Sequence, residues 1–298
     1  MRDVSGVGAG AQTADRVAQP AVVITGAGSG IGAACAVALS NAGYRVFAGV
    51  RREPGADAWQ GGRLELITPL MLEVTDTGSI ARAAAEVEAA LGDAGLAGLV
   101  NCAGIALGGP LEFLAPGELR RQLDVNVVGQ LAVTQAFLPL IRRGRGRLVN
   151  VGSVSGRNAL PFLGPYAASK FALRALNDAL RVELRPWGIP VILIEPGSIA
   201  TGIWARGGAE AKRQFAAFPP DARRLYGKQL DTLTARVVEM GQHGLPAQRV
   251  AETVALALSV RHPQAHYAVA PAGRRWMSRL LSALPTGLRD RLVLRALR

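Results

Sequence analysis

The chain has 298 residues and 31.1 kDa, and its 49% hydrophobic and 19% charged residues give it apolar surface for a packed core and exclude a disordered chain. No uninterrupted apolar run reaches the ~18 residues that cross a bilayer, and the segment MRDVSGVGAGAQTADRVAQP lacks the apolar centre of a signal peptide, so a cytoplasmic protein is expected. The formal net charge of +12 would suit a polyanion partner, but half of it falls in residues 271–298 and Arg outnumbers Lys 31 to 3, so nucleic-acid binding is not expected.

Residues 1–19 are small, polar and aperiodic and are expected to form a flexible arm. From Ala21 onward, β-rich apolar runs alternate with Ala-rich helical stretches. AVVIT (21–25) precedes a helix through about Asn41, then come strands RVFAGV (45–50) and LELI (64–67), a helix from about Gly78 to Leu91, and GLVN (98–101). A long helix from Pro116 to Ile141 leads into RLVNV (147–151), a helix over about 165–185 into PVILIE (190–195), and a helix over about 246–260 into YAVA (267–270). This alternation predicts one doubly wound α/β Rossmann domain over 20–270, a mainly parallel sheet of about seven strands with helices on both faces. In such a sheet ligands bind at the carboxyl ends of the strands. Cys35 and Cys102 are not in C-x-x-C spacing, and Pro263 separates His262 from His266, while His243 stands apart, so no metal site is expected.

After the first strand stands TGAGSGIG, with Gly26, Gly28, Gly30 and Gly32 opening a helix. Glycines there let the backbone approach a pyrophosphate, whose charge is met by free N–H groups and the positive helix end. About 20 residues on, an acid would bind the ribose 2′-hydroxyl of NAD, but this chain reads Val50-Arg51-Arg52, and a guanidinium holds a 2′-phosphate by paired bonds. NADP(H) is therefore expected over NAD(H).

The decisive segment is Tyr166-Ala-Ala-Ser-Lys170, in which Tyr and Lys share a helix face and the ammonium can stabilise a phenolate, drawing its pKa toward working pH. Such a pair arises by chance only ~0.04 times in a chain of this composition. Ser153, thirteen residues earlier at the end of RLVNV, has donor and acceptor capacity for a substrate oxygen, as does Ser155 nearby.

In order along the chain, Thr25-Gly26-x-x-x-Gly30-x-Gly32, LEVTD (72–76), NCAG (101–104), LDVNVVG with Asn126, Ser153, Tyr166-x-x-x-Lys170 and PGSIATGIW resemble the motifs of the short-chain dehydrogenase/reductase superfamily. The stretch FALRALNDALRVELRPWGIPVILIEPG is similar to the branch of retinol and 17β-hydroxysteroid dehydrogenases. The resemblance implies a catalytic set of Asn126, Ser153, Tyr166 and Lys170. In it Tyr166 exchanges the proton, Lys170 also binds the cofactor ribose, and Asn126 holds a water of a proton relay. It further implies a cofactor cleft of Thr25, Gly26, Ser29, Gly30, Ile31, Gly32, Arg51, Arg52, Glu73, Val74, Asn101, Ala103, Gly104, Pro196, Gly197, Ile199 and Thr201. Cys102 and Glu73 depart from the usual Asn and from the Asp that meets the adenine.

Hydride transfer between nicotinamide and a hydrophobic ketone or secondary alcohol is the expected reaction. The segment of about 198–228, with Trp204, Phe215, Phe218 and Tyr226, reads as an apolar lid together with Leu107, Leu111 and Phe162; ordinary core packing is the other reading of each aromatic. Lys212 and Arg213 leave an acyl-thioester reductase open, and a catalytically silent NADP-binding sensor is the remaining alternative. The family resemblance allows a homodimer or homotetramer. Residues 271–298 form a basic amphipathic tail in which Trp276, Leu280 and Leu284, then Leu288 and Leu292, recur at helical spacing about Pro285. It either packs on protein or makes peripheral contact with a membrane.

Overall fold

The computed structural model of the protein describes residues 19–55, 57–201, 218–271, 273, 280–281 and 283–296. The expected arm (except its last residue), Trp204, Lys212, Arg213, Phe215 and Trp276 lie outside the described residues.

Seven strands form one sheet in which every neighbouring pair is parallel: β1 (Ala21–Ile24), β2 (Arg45–Val50), β3 (Ile67–Met71), β4 (Gly98–Asn101), β5 (Arg147–Val151), β6 (Val191–Pro196) and β9 (His266–Val269). Their order is β3-β2-β1-β4-β5-β6-β9, so the chain reverses its winding between β1 and β4 and opens a crevice there. Alternation along the strands divides the core. Val22, Ile24, Val149 and Ile192 face a layer with Cys35, Leu39 and Val254, while Ala21, Val23, Leu148 and Val191 face a layer with Val87, Phe137 and Leu140. The first layer is made by α1 (Gly30–Asn41) and α7 (Ala247–Ser259), the second by α2 (Thr77–Leu91) and α4 (Gly129–Arg143).

Several expectations shift. The third strand is not LELI but Ile67–Met71; Leu64–Leu66 make a single 3-10 turn. Among the described strands β3 pairs only with β2, so Pro69 sits on a sheet edge where its missing N–H costs little. The long helix runs continuously over Pro116–Arg143, as α3 (Pro116–Leu123), a π turn over Asp124–Val128 within it, and α4. Pro116–Arg143 is long and apolar enough to cross a membrane by length and composition, yet half of that window is buried in the domain. Helix α5 (Gly164–Glu183) carries Tyr166 and Lys170. Helix α6 (Pro220–Gln242) takes up the end of the expected lid, and β7 (Ile199–Ala200) pairs with β8 (Leu245–Pro246) in a small second sheet. In the tail, α8 (Thr286–Ala296) starts directly after Pro285 and leaves Leu288, Leu292 and Leu294 exposed.

Candidate active site

The β1–α1 turn is shaped by the absence of side chains. Gly26 has φ +66 and a Cβ there would come within 2.8 Å of the Ala103 Cα, while a Cβ at Gly32 would overlap the Gly26 carbonyl oxygen. Thr25 is fully buried, and its Oγ1 accepts from the amides of Cys102 (2.9 Å) and Ala103 (3.0 Å), joining the ends of β1 and β4. Its side chain thus spaces the crevice. Ser29 precedes α1 in extended backbone, and Ile31 packs on the α1 layer of the core. The first N–H groups of a helix have no carbonyl partner within it, which makes the start of α1 suited to an anion. Sequence reasoning missed Trp59: this buried indole donates to the Ala27 carbonyl at 2.9 Å and pins the turn from outside.

Arg51 and Arg52 follow β2 in exposed positions, and Arg51 Nη1 lies 3.9 Å from Glu73 Oε2. Glu73 also accepts from the amide and hydroxyl of Thr75, and Val74 is buried with its carbonyl against Gly129 of α4. Asp76 of the same motif caps α2 through the amides of Gly78 and Ser79. Beyond β4, Asn101 is fully buried, and its amide donates to Thr134 Oγ1 (2.9 Å) and Asn150 Oδ1 (3.0 Å). That side chain fixes the sheet's end from within. Ala103 is held by Gln130, which donates to its carbonyl, and Gly104 leaves room for Asn126 Oδ1. Gly30 lies against Thr201, so the end of β6 at Pro196 and the segment after it, with Gly197 and the buried Ile199, close on the glycine turn.

At the other end of the crevice, Ser153 leaves β5 in extended backbone and accepts from the Ser155 amide at 3.1 Å. It also hydrogen-bonds the Tyr166 hydroxyl. Burial pushes the Tyr166 phenol above its ordinary value, and the Ser153 bond draws it partly back. The lowering expected from Lys170 is not found. That ammonium is itself buried, donates to the Val151 carbonyl at 2.9 Å, and stands 5.8 Å from the Tyr166 ring centre; desolvation holds it down at about 8. Tyr166 is accordingly protonated at neutral pH. Cys102, in place of the usual Asn, is a half-buried thiol that desolvation pushes up to about 12, and it stays protonated as well.

Asn126 sits in the π turn, fully buried. Its Oδ1 accepts from the Ile105 amide (2.9 Å), and its amide donates to the Ile105 carbonyl and to Ser169 Oγ, both at 3.0 Å. Ser169 in turn donates to the Tyr166 carbonyl at 2.7 Å, so Asn126 reaches the reacting helix through one hydroxyl. Gln122 grips the same loop, giving its amide to Ile105 O and taking the Leu107 amide. Neither Ser169 nor Gln122 stands out in sequence.

Four aromatic side chains form a separate group: Phe162 contacts Tyr226 edge-on at 5.9 Å, and Phe113 lies 6.1 Å from Tyr226 and 6.3 Å from Phe218. Phe162 has φ +64, a left-handed conformation unfavourable for a bulky residue, and its carbonyl accepts from Gly109 at 2.7 Å. Tyr226 donates to Glu112 at 2.7 Å. Leu107 is buried and Leu111 is exposed.

Residues 20–212 match the family described as short chain dehydrogenase. Retinol dehydrogenase 16 of Mus musculus is 37% identical over 281 residues, 91% of this chain and 87% of that protein. The 17-beta-hydroxysteroid dehydrogenase type 6 of Homo sapiens is 35% identical over 284 residues, 92% and 88% respectively. The crystal structure of a short chain dehydrogenase from Burkholderia cenocepacia in complex with NADP superposes with a TM-score of 0.68 at 26% identity, over 92% of this chain and 97% of that one. With a glycine turn at the winding reversal and a Ser–Tyr–Lys set beside it, the chain belongs to the short-chain dehydrogenase family and is an NAD(P)-dependent oxidoreductase of alcohol or carbonyl groups.

Proposed function

We propose that the protein is an NADP(H)-dependent enzyme that transfers hydride between nicotinamide and a hydrophobic ketone or secondary alcohol, with Tyr166 as acid and base. The observation that carries this reading is the hydrogen bond of Ser153 to a protonated, buried Tyr166 one helical turn from Lys170. The chain fits the cofactor: Gly26 and Gly32 clear the turn of side chains, α1 offers its amino end, and Arg51 follows β2 where the 2′-phosphate would lie. When bound, the nicotinamide supplies or accepts the hydride at its C4.

In the reducing direction Ser153 holds the substrate carbonyl oxygen and Tyr166 Oη gives it a proton as the carbon takes the hydride. The phenolate so formed regains its proton from solvent along the relay kept by Asn126. Lys170 holds the ribose. In the oxidising direction the same groups take the proton back. Phe113, Phe162, Phe218 and Tyr226 support an apolar substrate body over this centre. In the tail, Leu288, Leu292 and Leu294 beside Arg291 and Arg295 support contact with an anionic membrane surface, and vesicle sedimentation of the full chain against one ending at Gly273 tests that reading.

Reduction of a panel of retinoid, steroid and aryl ketones, followed by nicotinamide absorbance with NADPH and NADH in parallel, tests the main proposal. Turnover with NADPH is expected. Binding of cofactor without turnover of any carbonyl or alcohol would overturn it in favour of a silent nucleotide binder.

A further inference from the structure

We propose that Glu195 is the positioning residue of this active site: through Arg157 and Arg174 its carboxylate holds the Ser153 turn, the Tyr166–Lys170 helix and the Pro196–Gly197 turn in one arrangement. The inference rests on the reading of Ser153, Tyr166 and Lys170 given above.

Strand β6 is VILIEP, buried throughout, and Glu195 is its one charged residue, 2% exposed. A carboxylate at that depth needs partners. Arg157 supplies a fork, Nε to Oε1 at 2.9 Å and Nη2 to Oε2 at 2.6 Å, and Arg174 adds Nη1 to Oε1 at 2.9 Å. His266 of β9 stands 3.8 Å from Oε2 with Nδ1 and meets Asp178 of α5 at 3.1 Å with Nε2. Each guanidinium comes from a different part of the site. Arg157 lies four residues past Ser153, at the foot of the turn Val154–Gly156. Arg174 lies one helical turn past Lys170 and two past Tyr166 on α5. Glu195 itself is followed directly by Pro196 and Gly197.

A buried ion network of this kind seldom stabilises a fold more than apolar residues of equal volume would. What it adds is direction, because a forked guanidinium fixes both the distance and the angle of the carboxylate it meets. Direction is what this place requires. The Ser153 turn and α5 already touch, since a Cβ at Gly156 would come within 2.8 Å of the Lys170 carbonyl oxygen, and Lys170 Nζ reaches back to the last residue of β5. A sliding of either segment would therefore move Ser153 relative to Tyr166, and a misplacement near 1 Å can cost about 100-fold in rate.

The test uses the full chain with NADPH and trifluoroacetophenone as probe substrate, comparing wild type, Glu195→Gln, Arg157→Ala and the two combined. Each single change is expected to lower kcat by about 30-fold or more while the NADPH Kd, read by nucleotide fluorescence, stays within about threefold. The double variant should be no slower than the slower single, because both break one device. Arg143→Ala, which cuts the remote Arg143–Glu88 pair at 2.9 Å, should leave kcat unchanged. If Glu195→Gln lowers Tm but kcat per folded enzyme stays within twofold, the network serves stability alone and the proposal falls. Should Glu195→Gln fail to fold, Arg174→Gln, which removes a single bond from a partly exposed residue, decides: normal kcat overturns the proposal and a drop of about tenfold supports it. Tyr166→Phe is run alongside. Normal turnover in that variant would overturn the catalytic reading and this proposal with it, whereas loss in Tyr166→Phe with normal turnover in Glu195→Gln would reject the positioning role alone.

Discussion

At the end of β1 the backbone closes on itself: the turn depends on Gly26 and Gly32 having no Cβ, and Trp59, a side chain that pins it from a distance, binds a main-chain carbonyl. At the ends of β5 and β6 the reverse holds, with Ser153, Tyr166, Ser169, Asn126, Glu195 and two arginines tied side chain to side chain or side chain to loop. The first region is fixed by what would collide and the second by what must be bonded. Damage to the one should appear in cofactor affinity and folding, and damage to the other in turnover with affinity kept.

The largest expected effect separates the two most cleanly. Tyr166→Phe removes the exchangeable proton and the Ser153 bond but keeps the buried ring, so kcat should fall about 1000-fold while the NADPH Kd stays within twofold. Steady-state kinetics beside a fluorescence titration measures both, and parallel losses in kcat and affinity would erase the distinction between the regions.

Gly32→Ala tests the other side, since its methyl has no place beside the Gly26 carbonyl. NADPH affinity should fall at least about 30-fold together with a lower Tm, as expected where a Cβ collides with backbone. Gly28→Ala sharpens the comparison. Its Cβ would meet only Val50 Cγ1, at 3.5 Å, an ordinary contact, so the fold should be kept and any loss of affinity reports the approach of the nucleotide itself.

These regions were unequally legible in sequence. The glycine turn and Tyr166-x-x-x-Lys170 are local spacings, visible in a short window, and the strand-helix alternation gave the sheet. Elements that depend on distant partners were not visible. Strand β3 moved from LELI to ITPLM because its pairing with β2 sets its bounds. Helix α6 has a mostly polar sequence in which Ala222 alone among the described side chains is fully buried, so it has little periodicity to find. Glu195 did leave a signal, a carboxylate in an otherwise apolar central strand, but its partners Arg157 and Arg174 come from segments that only the fold brings together.

Lys170 joins the two regions, and its burial gives a pH signature. Its folded pKa is held at about 8 against 10.5 for a free lysine, so below about 8 the charge is buried at a cost to stability. Between 8 and 10.5 the unfolded chain binds more protons than the folded one, and stability from this group rises with pH. Lys170→Met should therefore be more stable than wild type at pH 7, with the gain shrinking above pH 8 and gone above about 10.5, while turnover is lost. Denaturant unfolding at a series of pH values checks the sign; a gain that grows with pH would contradict it.

The smallest expected effect lies at the rim of the glycine turn, where a side chain does enter the cofactor end. Arg51 is three-quarters exposed and 3.9 Å from Glu73, so its pair with that acid is weak and its guanidinium is available to a 2′-phosphate. Arg51→Ala should weaken NADPH binding about tenfold and leave NADH binding unchanged, since a solvated charge-assisted contact contributes little more than that. Adding Val50→Asp should turn the preference to NADH, because a carboxylate at the end of β2 accepts from the ribose hydroxyl and repels the phosphate. Val50 is only 4% exposed and packs beside Gly28, so the double variant should also lose some stability. Titration of both nucleotides into both variants decides it: equal loss of NADPH and NADH in Arg51→Ala would make that arginine part of the scaffold and return cofactor choice to the backbone turn.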